Sequence, residues 1–214
     1  MYEPTERTQV RRQPARGFHD RELVHAVLDE ALMCHVGFVD GGQPYVIPTI
    51  HARDGDTLYF HGATGSRMLA VLAGGAPCSV TVSILDGVVF ARSVFHHSLN
   101  YRSVVALGQA AEVTDSDRKL RALETIVEHI APGRWREARP PSRQELRATS
   151  VLALDLREVS AKVRTGQPID SPADLELPVW AGELPLRLTP SAPRADDGAS
   201  ALPLPPSVDG WRRA

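Results

Sequence analysis

The chain has 214 residues, enough for one well-buried domain with a tail, and its 43% hydrophobic and 23% charged residues are ordinary for a soluble globular protein. A formal net charge of −2 argues against nucleic acid as the main partner, because affinity for a phosphate backbone needs an excess of lysine and arginine. We expect no membrane partner either, because every apolar run is shorter than the roughly 20 residues that span a bilayer. The charged N-terminus has no apolar core typical of a secretory signal, so we expect a cytoplasmic protein with Cys34 and Cys78 as reduced core thiols.

The first predicted elements are one helix and three strands. Residues 1–17 are polar and charged, and we predict that they form a flexible arm. Asp20 is a good N-cap for a helix in which Leu23, Val27 and Ala31 repeat at four-residue spacing and form one apolar face. The period then changes to that of strands, and Asp-Gly signals separate the apolar runs. We predict an antiparallel meander of the segments MCHVGFV, PYVIPTIHA and TLYFH.

The middle of the chain predicts a short helix, three strands and a long helix. The short helix covers about Ser66–Ala73 and ends at two glycines. The runs CSVTVSIL and VVFARSVF are predicted to pair as a hairpin across Asp86-Gly87, and VVALGQAAEV is the next strand. An apolar residue at every third or fourth position predicts a helix over about Ser116–Ile130, with cap candidates at residues 114–116.

The last third of the chain changes from regular elements to a proline-rich tail. Ser142 and Glu145 form an S-x-x-E capping box, which predicts a brief third helix. The run VLALDLREVSAKVR is predicted as one long strand that changes face near Arg157–Glu158, as a bulge requires. The final 50 residues hold 9 of the 17 prolines, and the stretch from Pro185 to Pro206 has no apolar period, so we predict that it is extended or disordered.

Together these elements predict a mainly β fold. Six or seven antiparallel strands with short helices fit a closed or partly open barrel. A doubly wound parallel sheet is disfavoured, because helices do not alternate with the strands. We divide the chain into the flexible arm 1–17, a barrel domain 18–166 and a proline-rich C-terminal extension 167–214.

The segment YFHGATGSRM, residues 59–68, has the parts of an anion-binding turn. A strand ends at His61, glycines let the backbone approach an anion, and a helix then begins. Ser66 offers a hydroxyl, and Arg67 offers a bidentate guanidinium. The pattern fits equally well a tight turn in which Ser66 only caps the helix and Arg67 faces solvent, since it is neither G-x-G-x-x-G nor a Walker sequence.

The segment RSVFHHSLNYRSV, residues 92–104, places many polar side chains between two apolar strands. Such a cluster can line a pocket or a subunit interface, and the alternative is an exposed loop. We expect no metal ion site, because His96 and His97 point to opposite faces of an extended chain and no further ligand motif completes a set. A serine hydrolase is not supported, since no G-x-S-x-G elbow precedes the serines. His51, at the end of the second strand, could face a pocket.

The motifs PYVIPTIHA, YFHGATGSR and NYRSV, in that order, resemble those of the pyridoxamine 5′-phosphate oxidase-like flavoproteins. More narrowly, the chain is similar to the flavin-nucleotide-binding branch that includes the nitroimidazole-resistance (Nim-type) proteins. The resemblance covers about residues 18–166. It implies a six- to seven-stranded antiparallel split β-barrel with flanking helices, a homodimer, and FMN bound at the dimer interface.

The resemblance also implies which residues surround the flavin. Three residues would lie along the isoalloxazine ring, namely Pro48, Thr49 and Ile50. Four would hold the ribityl phosphate end, namely His61, Ala63, Ser66 and Arg67. Four would line the same pocket from the partner subunit, namely Asn100, Tyr101, Arg102 and Ser103. Trp180 would either cover the ring or pack the tail onto the barrel.

The predicted function is that of an FMN-dependent oxidoreductase acting on a small organic substrate, in which the flavin carries the hydride or electron chemistry. His61 and His51 are the first candidates for proton transfer, because imidazole titrates near neutral pH. One alternative is a flavin-binding or sensing protein without turnover, and another is a barrel that holds haem or F420, with His96 or His97 as the haem ligand. The tail LPLPPSVDGWRRA replaces the Arg-rich C-terminal motif of pyridoxal-forming relatives, which argues against vitamin B6 oxidation.

Overall fold

Strands make up most of the regular structure in the computed structural model, which describes residues 1–211; residues 212–214 of the predicted extension lie outside this range. The ten strands are β1 (Gly17–Phe18), β2 (Met33–Asp40), β3 (Gln43–Asp54), β4 (Thr57–Ala63), β5 (Pro77–Phe90), β6 (Ser98–Gln109), β7 (Ala111–Glu112), β8 (Thr149–Asp155), β9 (Glu158–Arg164) and β10 (Gly182–Pro185). The helices are α1 (Arg21–Glu30), α2 (Arg67–Ala73), α3 (Ser116–Ile130), α4 (Arg134–Glu137), α5 (Arg143–Ala148) and α6 (Pro206–Asp209). Single 3₁₀ turns lie at Pro14–Arg16, Val94–His96 and Pro172–Asp174.

The strands pair antiparallel in the order β1-β9-β6-β5-β2-β3-β4-β8-β7, with β10 added to β5. β3 joins the two halves of the barrel, because residues 43–50 pair with β2 and residues 51–54 pair with β4. The predicted mainly β split barrel with flanking helices is therefore confirmed. Three of the ten strands have only two to four residues, and the remaining seven match the predicted number.

Strand alternation and one capped helix build the core. In β2, Cys34, Val36 and Phe38 are buried while their neighbours face outward, the period-2 pattern of a strand with one covered face. α1 lays its apolar stripe, including Val27 and Leu28, on the same core. Each such fully buried aliphatic side chain contributes about 1.5–3 kcal/mol.

The predicted helix starts and core thiols agree with the structure. The Asp20 carboxylate accepts a hydrogen bond from Leu23 N and caps α1, and Asp115 caps α3 in the same way. Ser142 and Glu145 form the predicted capping box. Cys34 and Cys78 are both free and buried, as expected of small core residues, and burial raises the pKa of the Cys34 thiol to about 12.

The predicted hairpin at Asp86-Gly87 is wrong. β5 runs unbroken from Pro77 to Phe90, and its pairing with β6 only shifts register between Leu85 and Gly87, which is a β-bulge. Gly87 is needed for packing and not for a turn, since a Cβ at this position would lie 2.9 Å from the Leu184 carbonyl oxygen. It therefore permits the close approach of β10, and the true reversal of the chain comes later, at residues 91–97.

The predicted single strand through Arg157 is also wrong. It is divided after Asp155 into β8 and β9, which pair with β4 and β6 in different halves of the barrel. Buried Leu156 lies at the crossing, and its N–H donates to the Asp56 carbonyl at 2.9 Å. The change of face marks this crossing and not a bulge.

Both ends of the chain contact the barrel. Tyr2, within the segment predicted to be a flexible arm, is 6% exposed, and its hydroxyl donates to Asp56 Oδ1 at 2.6 Å. Within the extension, β10 pairs with β5, Ser207 is buried, and no helix or strand lies between residues 186 and 205. The boundaries of the three regions stay a prediction. No helix within residues 1–211 is long and apolar enough to cross a membrane.

Candidate functional site

Backbone hydrogen bonds shape the turn between β4 and α2. Thr64 N donates to the Ala148 carbonyl at 2.9 Å, and Ser66 N donates to the Ala63 carbonyl at 2.9 Å, so the turn is tied to α5 and closed on itself. Ser66 occupies the N-cap position of α2, but its hydroxyl makes no capping hydrogen bond. The turn thus keeps the Ser66 hydroxyl available and leaves Ala63 exposed beside it.

Arg67 is oriented by Tyr45 while its charge stays accessible. Its guanidinium carbon lies 4.1 Å from the Tyr45 ring centroid, and Nη1 donates to the Tyr45 hydroxyl at 3.3 Å. Nε lies 4.0 Å from the Asp40 carboxylate, and the side chain is 57% exposed. A cation–π contact at an exposed site is worth about 0.5–1 kcal/mol, which helps to orient the side chain and leaves Nη2 as an accessible donor. Arg67 therefore presents a positioned cation at the turn.

His61 is half-buried on the opposite face of β4 from Phe60. It pairs with Val151, a member of the small apolar cluster under α3, whereas Phe60 pairs with Leu152 in the main core. Burial lowers the pKa of the His61 imidazole below its usual value, which favours the neutral ring. Its Nδ1 is buried and has no hydrogen-bond partner among the described residues. The imidazole therefore has one ring nitrogen whose hydrogen-bonding capacity no described residue satisfies.

The strands β2, β3, β5 and β6 turn one side to the core and leave the other side uncovered; we call this uncovered side the open face. It carries the outward side chains Met33, His35, Val39, Val46, Pro48, Ile50, Thr81, Ser83, Leu85, Tyr101, Ser103 and Val105. Val46 is 65% exposed and Met33 is 54% exposed. Contiguous exposed apolar surface of this kind marks an interaction site.

The structure places some of the predicted ring and pocket residues on the same face of the sheet but not in contact. Pro48 and Ile50 lie on the open face of β3, and Tyr101 and Ser103 lie on the open face of β6. β2 and β5 lie between these two strands, so the two pairs are about 14 Å apart, three strand spacings of about 4.8 Å. One protomer thus offers both groups on one surface, but not on opposite walls of one pocket.

Thr49 and His51 face away from the open face. Thr49 pairs with buried Cys34 and is half-buried, so it can offer only its backbone to the open face. His51 has no exposed surface; its Nε2 lies 3.0 Å from the Leu28 carbonyl oxygen, and its ring packs against His129. The structure therefore places His51 in the packing between α1 and α3, and its position does not support the predicted catalytic role.

Arg102 was predicted to line the flavin pocket, but carboxylates on both sides occupy its guanidinium. Nε and Nη2 donate to Asp86 at 2.9 and 2.7 Å, and Nη1 and Nη2 donate to Glu30. These hydrogen bonds raise the pKa of Arg102 above its usual value. Arg102 therefore ties the end of α1 to the bulge of β5.

The side-chain amide of Asn100 also makes its hydrogen bonds to residues of the same chain. It is 5% exposed; its Nδ2 donates to Glu183 at 2.6 Å, and its Oδ1 accepts from Arg164. The Arg164 guanidinium also donates to the Gly166 carbonyl at 2.9 Å. The predicted pocket residue instead joins β6 to β9 and β10.

Trp180 lines a second site, an open pocket of about 450 Å³ at the end of β5. Its walls are mainly apolar and consist of Phe90, Ala91, Arg92, Val94, His97, Val179 and Trp180. The Phe90 ring centroid lies 6.0 Å from that of Trp180 and 5.9 Å from that of His97. The tryptophan thus packs the tail onto the barrel, as one reading of the sequence predicted, and it also forms a pocket wall.

The Trp180 pocket and the Arg67 turn lie at opposite ends of β5. Tyr45, which holds Arg67, pairs with Phe38, and Phe38 pairs with Cys78 near the start of β5. Phe90 is twelve residues further along the same strand, which corresponds to at most roughly 40 Å of extended chain. The two sites are therefore separate within one protomer.

Sequence reasoning missed His35 and the ion pair of Arg92. His35 lies on the open face directly opposite Pro48 and Thr81. Its position follows from the alternation in MCHVGFV, since the neighbouring Cys34 and Val36 face the core. Arg92 pairs with Asp170, which lies 78 residues away, and no local pattern signals that contact.

Comparisons with known proteins identify the family. The sequence profile of the family described as pyridoxamine 5′-phosphate oxidase matches residues 20–163. The flavocytochrome Anf3 from Azotobacter vinelandii is 37% identical over all of both chains, with a TM-score of 0.93. The FAD and heme binding protein from Mycobacterium smegmatis is 40% identical over 91% of this chain and 96% of its own, with a TM-score of 0.87.

A more distant structure agrees in fold alone. A protein named for 5-nitroimidazole antibiotic resistance, from Bacteroides thetaiotaomicron, is 23% identical over 69% of this chain and 86% of its own, with a TM-score of 0.59. No curated protein matches the chain. The family profile spans most of the barrel, from the N-cap of α1 to the end of β9. The chain therefore belongs to the pyridoxamine 5′-phosphate oxidase family of split-barrel proteins, as its motifs predicted.

Proposed function

We propose that this chain is a flavin- and haem-binding oxidoreductase of the flavocytochrome type that works as a homodimer. The observation that carries the flavin site is the β4–α2 turn, where Tyr45 orients an accessible Arg67 beside the free Ser66 hydroxyl. A guanidinium and a hydroxyl next to exposed backbone suit a phosphate ester. Two relatives above 35% identity are described as a flavocytochrome and as an FAD and heme binding protein, which supports adding haem to the proposal.

FAD replaces FMN as the preferred flavin in this proposal. The sequence motifs implied FMN, whereas the 40% identical relative is named as an FAD and heme binding protein. Both nucleotides carry the phosphate that Arg67 would bind, so the turn alone does not discriminate between them. Extraction of the purified protein with acid, followed by chromatography against FMN and FAD standards, identifies the flavin. Recovery of FMN alone would contradict the choice of FAD and leave the flavin site intact.

The chain's own residues have defined tasks in this site. A bound flavin supplies the hydride or electron transfer. Arg67 and Ser66 hold the phosphate, and Pro48 and Ile50 offer an apolar surface to a planar ring. His61, whose pKa is lowered by burial, is the imidazole nearest to the turn in sequence and the candidate for proton transfer. A second protomer on the open face would exclude water from these residues.

Replacement of Arg67 tests the flavin site. Loss of a charge-assisted hydrogen bond costs about 1.5–3 kcal/mol, so Arg67→Ala should weaken flavin binding by roughly 10- to 150-fold. Flavin fluorescence quenching during titration of the flavin-free protein measures this change. Arg157→Ala is the matched control, because that arginine is 85% exposed on the turn between β8 and β9. Equal affinity in the Arg67 and Arg157 variants would show that the phosphate binds elsewhere.

The open face supports the proposed homodimer. Val46, Val39 and Met33 are each more than half exposed on it, which is costly for a surface that stays in water. We expect Val46→Asp to convert the dimer to a monomer in light scattering coupled to size exclusion. Leu188→Asp, on a residue 76% exposed in the tail, is the control. A wild-type monomer, or an unchanged dimer in Val46→Asp, would contradict this interface.

Turnover is tested separately. The FAD-loaded protein is mixed anaerobically with NADH or NADPH, and loss of the flavin absorbance band is followed. Reduction by either donor, followed by reoxidation with an added acceptor, supports the oxidoreductase. A flavin that stays oxidised with both donors contradicts the use of either pyridine nucleotide as the reductant.

A further inference from the structure

The pocket at the end of β5 has the walls that a flat, apolar ligand needs. Phe90, His97 and Trp180 contribute three aromatic rings, and Val94 and Val179 add aliphatic surface. Trp180 is 70% exposed and Val94 is 89% exposed in the free chain. Large side chains gathered around an open pocket gain most of their burial only when a ligand fills it.

The pocket also holds one cation with an unused donor. Arg92 pairs with Asp170 through Nη1 at 2.8 Å, and its backbone N–H donates to the same carboxylate at 2.9 Å. The Asp170 side chain is only 1% exposed, so this pair is a fixed part of the wall. Arg92 Nε is buried and has no hydrogen-bond partner within residues 1–211. A carboxylate on the ligand would pair with the exposed part of this guanidinium, whose side chain is 27% exposed.

We propose that this pocket holds the haem, with His97 as an iron ligand and Arg92 as the partner of a haem propionate. The inference rests on the proposed flavocytochrome function and assigns a place to its second cofactor. The chemistry of the pocket fits: a porphyrin offers a flat apolar ring for the aromatic walls, an iron for an imidazole and carboxylates for an arginine.

His97 is the histidine that lines this pocket. The adjacent His96 ring lies in a T-shaped contact with exposed Phe95, and His35 lies on the open face. His61 and His51 belong to the other half of the barrel, on β4 and the second part of β3. The site of iron ligation is therefore distinct from the flavin turn.

Iron ligation moves one proton on His97. In the free chain the Ala91 N–H donates to His97 Nδ1 at 3.2 Å, so the neutral ring carries its proton on Nε2. Ligation through Nε2 transfers this proton to Nδ1 and breaks the hydrogen bond from Ala91. Haem loading should therefore shift the backbone amide resonance of Ala91, a change that surface adsorption of haem would not produce.

The segment that carries Trp180 is clamped to the barrel. On its far side, Glu183 accepts hydrogen bonds from Asn100 at 2.6 Å and from Gln167 at 2.7 Å. β10 continues this attachment by pairing with β5 directly before the pocket. Trp180 is therefore held as a fixed wall, and the fit does not depend on a large closing motion.

The test is reconstitution of the full chain with hemin, followed by Soret absorbance and by haem content from the pyridine haemochrome. Wild-type protein should bind one haem per chain and show the spectrum of histidine-ligated iron. His97→Gly should bind at least roughly tenfold more weakly, the lower end of what perturbing a metal site costs, and free imidazole should restore the spectrum. His96→Gly and His35→Gly are matched controls, and both should bind as wild type.

The possible outcomes distinguish failure of the haem-site assignment from failure of the proposed function. If wild-type protein binds no haem, both this assignment and the haem part of the proposed function fail, while the flavin site still stands on the Arg67 test. If wild type binds haem and His97→Gly keeps its affinity and spectrum, only the present assignment fails. Loss of ligation in His35→Gly instead would move the iron to the open face. Flavin affinity, measured in every variant, shows that the chain is folded.

Discussion

Tyr2→Phe tests whether the N-terminal segment is a flexible arm or part of the folded barrel. The Tyr2 hydroxyl donates to Asp56 Oδ1 at 2.6 Å and lies 2.8 Å from His25 Nε2, and the residue is 6% exposed. The substitution removes one hydrogen bond to a charged group, worth about 1.5–3 kcal/mol. Arg21 still pairs with Asp56, and that carboxylate is 34% exposed, so we take the low end, about 1.5 kcal/mol.

The assay is urea unfolding at pH 7 followed by circular dichroism, with a thermal scan beside it. For a chain of this size, about 1.5 kcal/mol corresponds to a fall in Tm of roughly 3–6 °C. Tyr59→Phe is the control, because the Tyr59 hydroxyl makes no hydrogen bond within the described part of the chain. An unchanged free energy of unfolding in Tyr2→Phe would show that the Tyr2 hydrogen bond does not hold the N-terminal segment on the barrel.

Two further predictions concern the same attachments. The Tyr2 hydrogen bond lowers the pKa of Asp56, so its contribution to stability is complete above the unfolded value of about 3.9 and is lost as the pH falls through the folded value. The difference in urea midpoint between wild type and Asp56→Asn should therefore shrink from pH 6 to pH 2.5, and a difference that grows would contradict this sign. Gly87→Ala should loosen the pairing of β10 with β5, because the added Cβ would lie 2.9 Å from the Leu184 carbonyl oxygen. Limited proteolysis between residues 165 and 186 should therefore become faster. Gly65→Ala is the control, because a Cβ at that position meets nothing within 4 Å.

Local patterns predicted the elements of the fold well, because short-range chemistry determines them. The caps at Asp20 and Ser142 lie within three residues of the groups that they bind, and the alternation in β2 needs only its own residues. The two errors arose where distant strands decide the outcome. The Asp86-Gly87 pair is a typical hairpin signal. Here the glycine instead allows the backbone of β10, almost a hundred residues later, to lie close to β5. The break at Leu156 follows from pairing with β4 and β6, which no local pattern contains.

The candidate site was predicted less completely, for a related reason. The residues of the candidate anion-binding turn, including Ser66 and Arg67, are contiguous in sequence, so a segment of seven residues was enough to predict it. Arg102 and Asn100 lie in an equally polar motif, but their donors are used within the chain. Arg102 donates hydrogen bonds to Glu30 and Asp86, and Asn100 donates to Glu183. A polar side chain becomes available to a ligand only if no neighbour satisfies it first, and those neighbours come from other parts of the chain.

The predicted flavin residues form four groups in one protomer. Arg67 and Ser66 lie at the turn, and Pro48 and Ile50 lie along β3. Tyr101 and Ser103 lie about 14 Å across the open face, and Trp180 lies beyond the end of β5. No rotation of side chains brings these groups around one ligand, since rigid, paired strands separate them. In the proposed homodimer, a two-fold axis between β2 and β5 would set one protomer's β6 opposite its partner's β3 and close this gap. Trp180 needs no such partner, since Phe90 and His97 of its own chain already complete a second pocket.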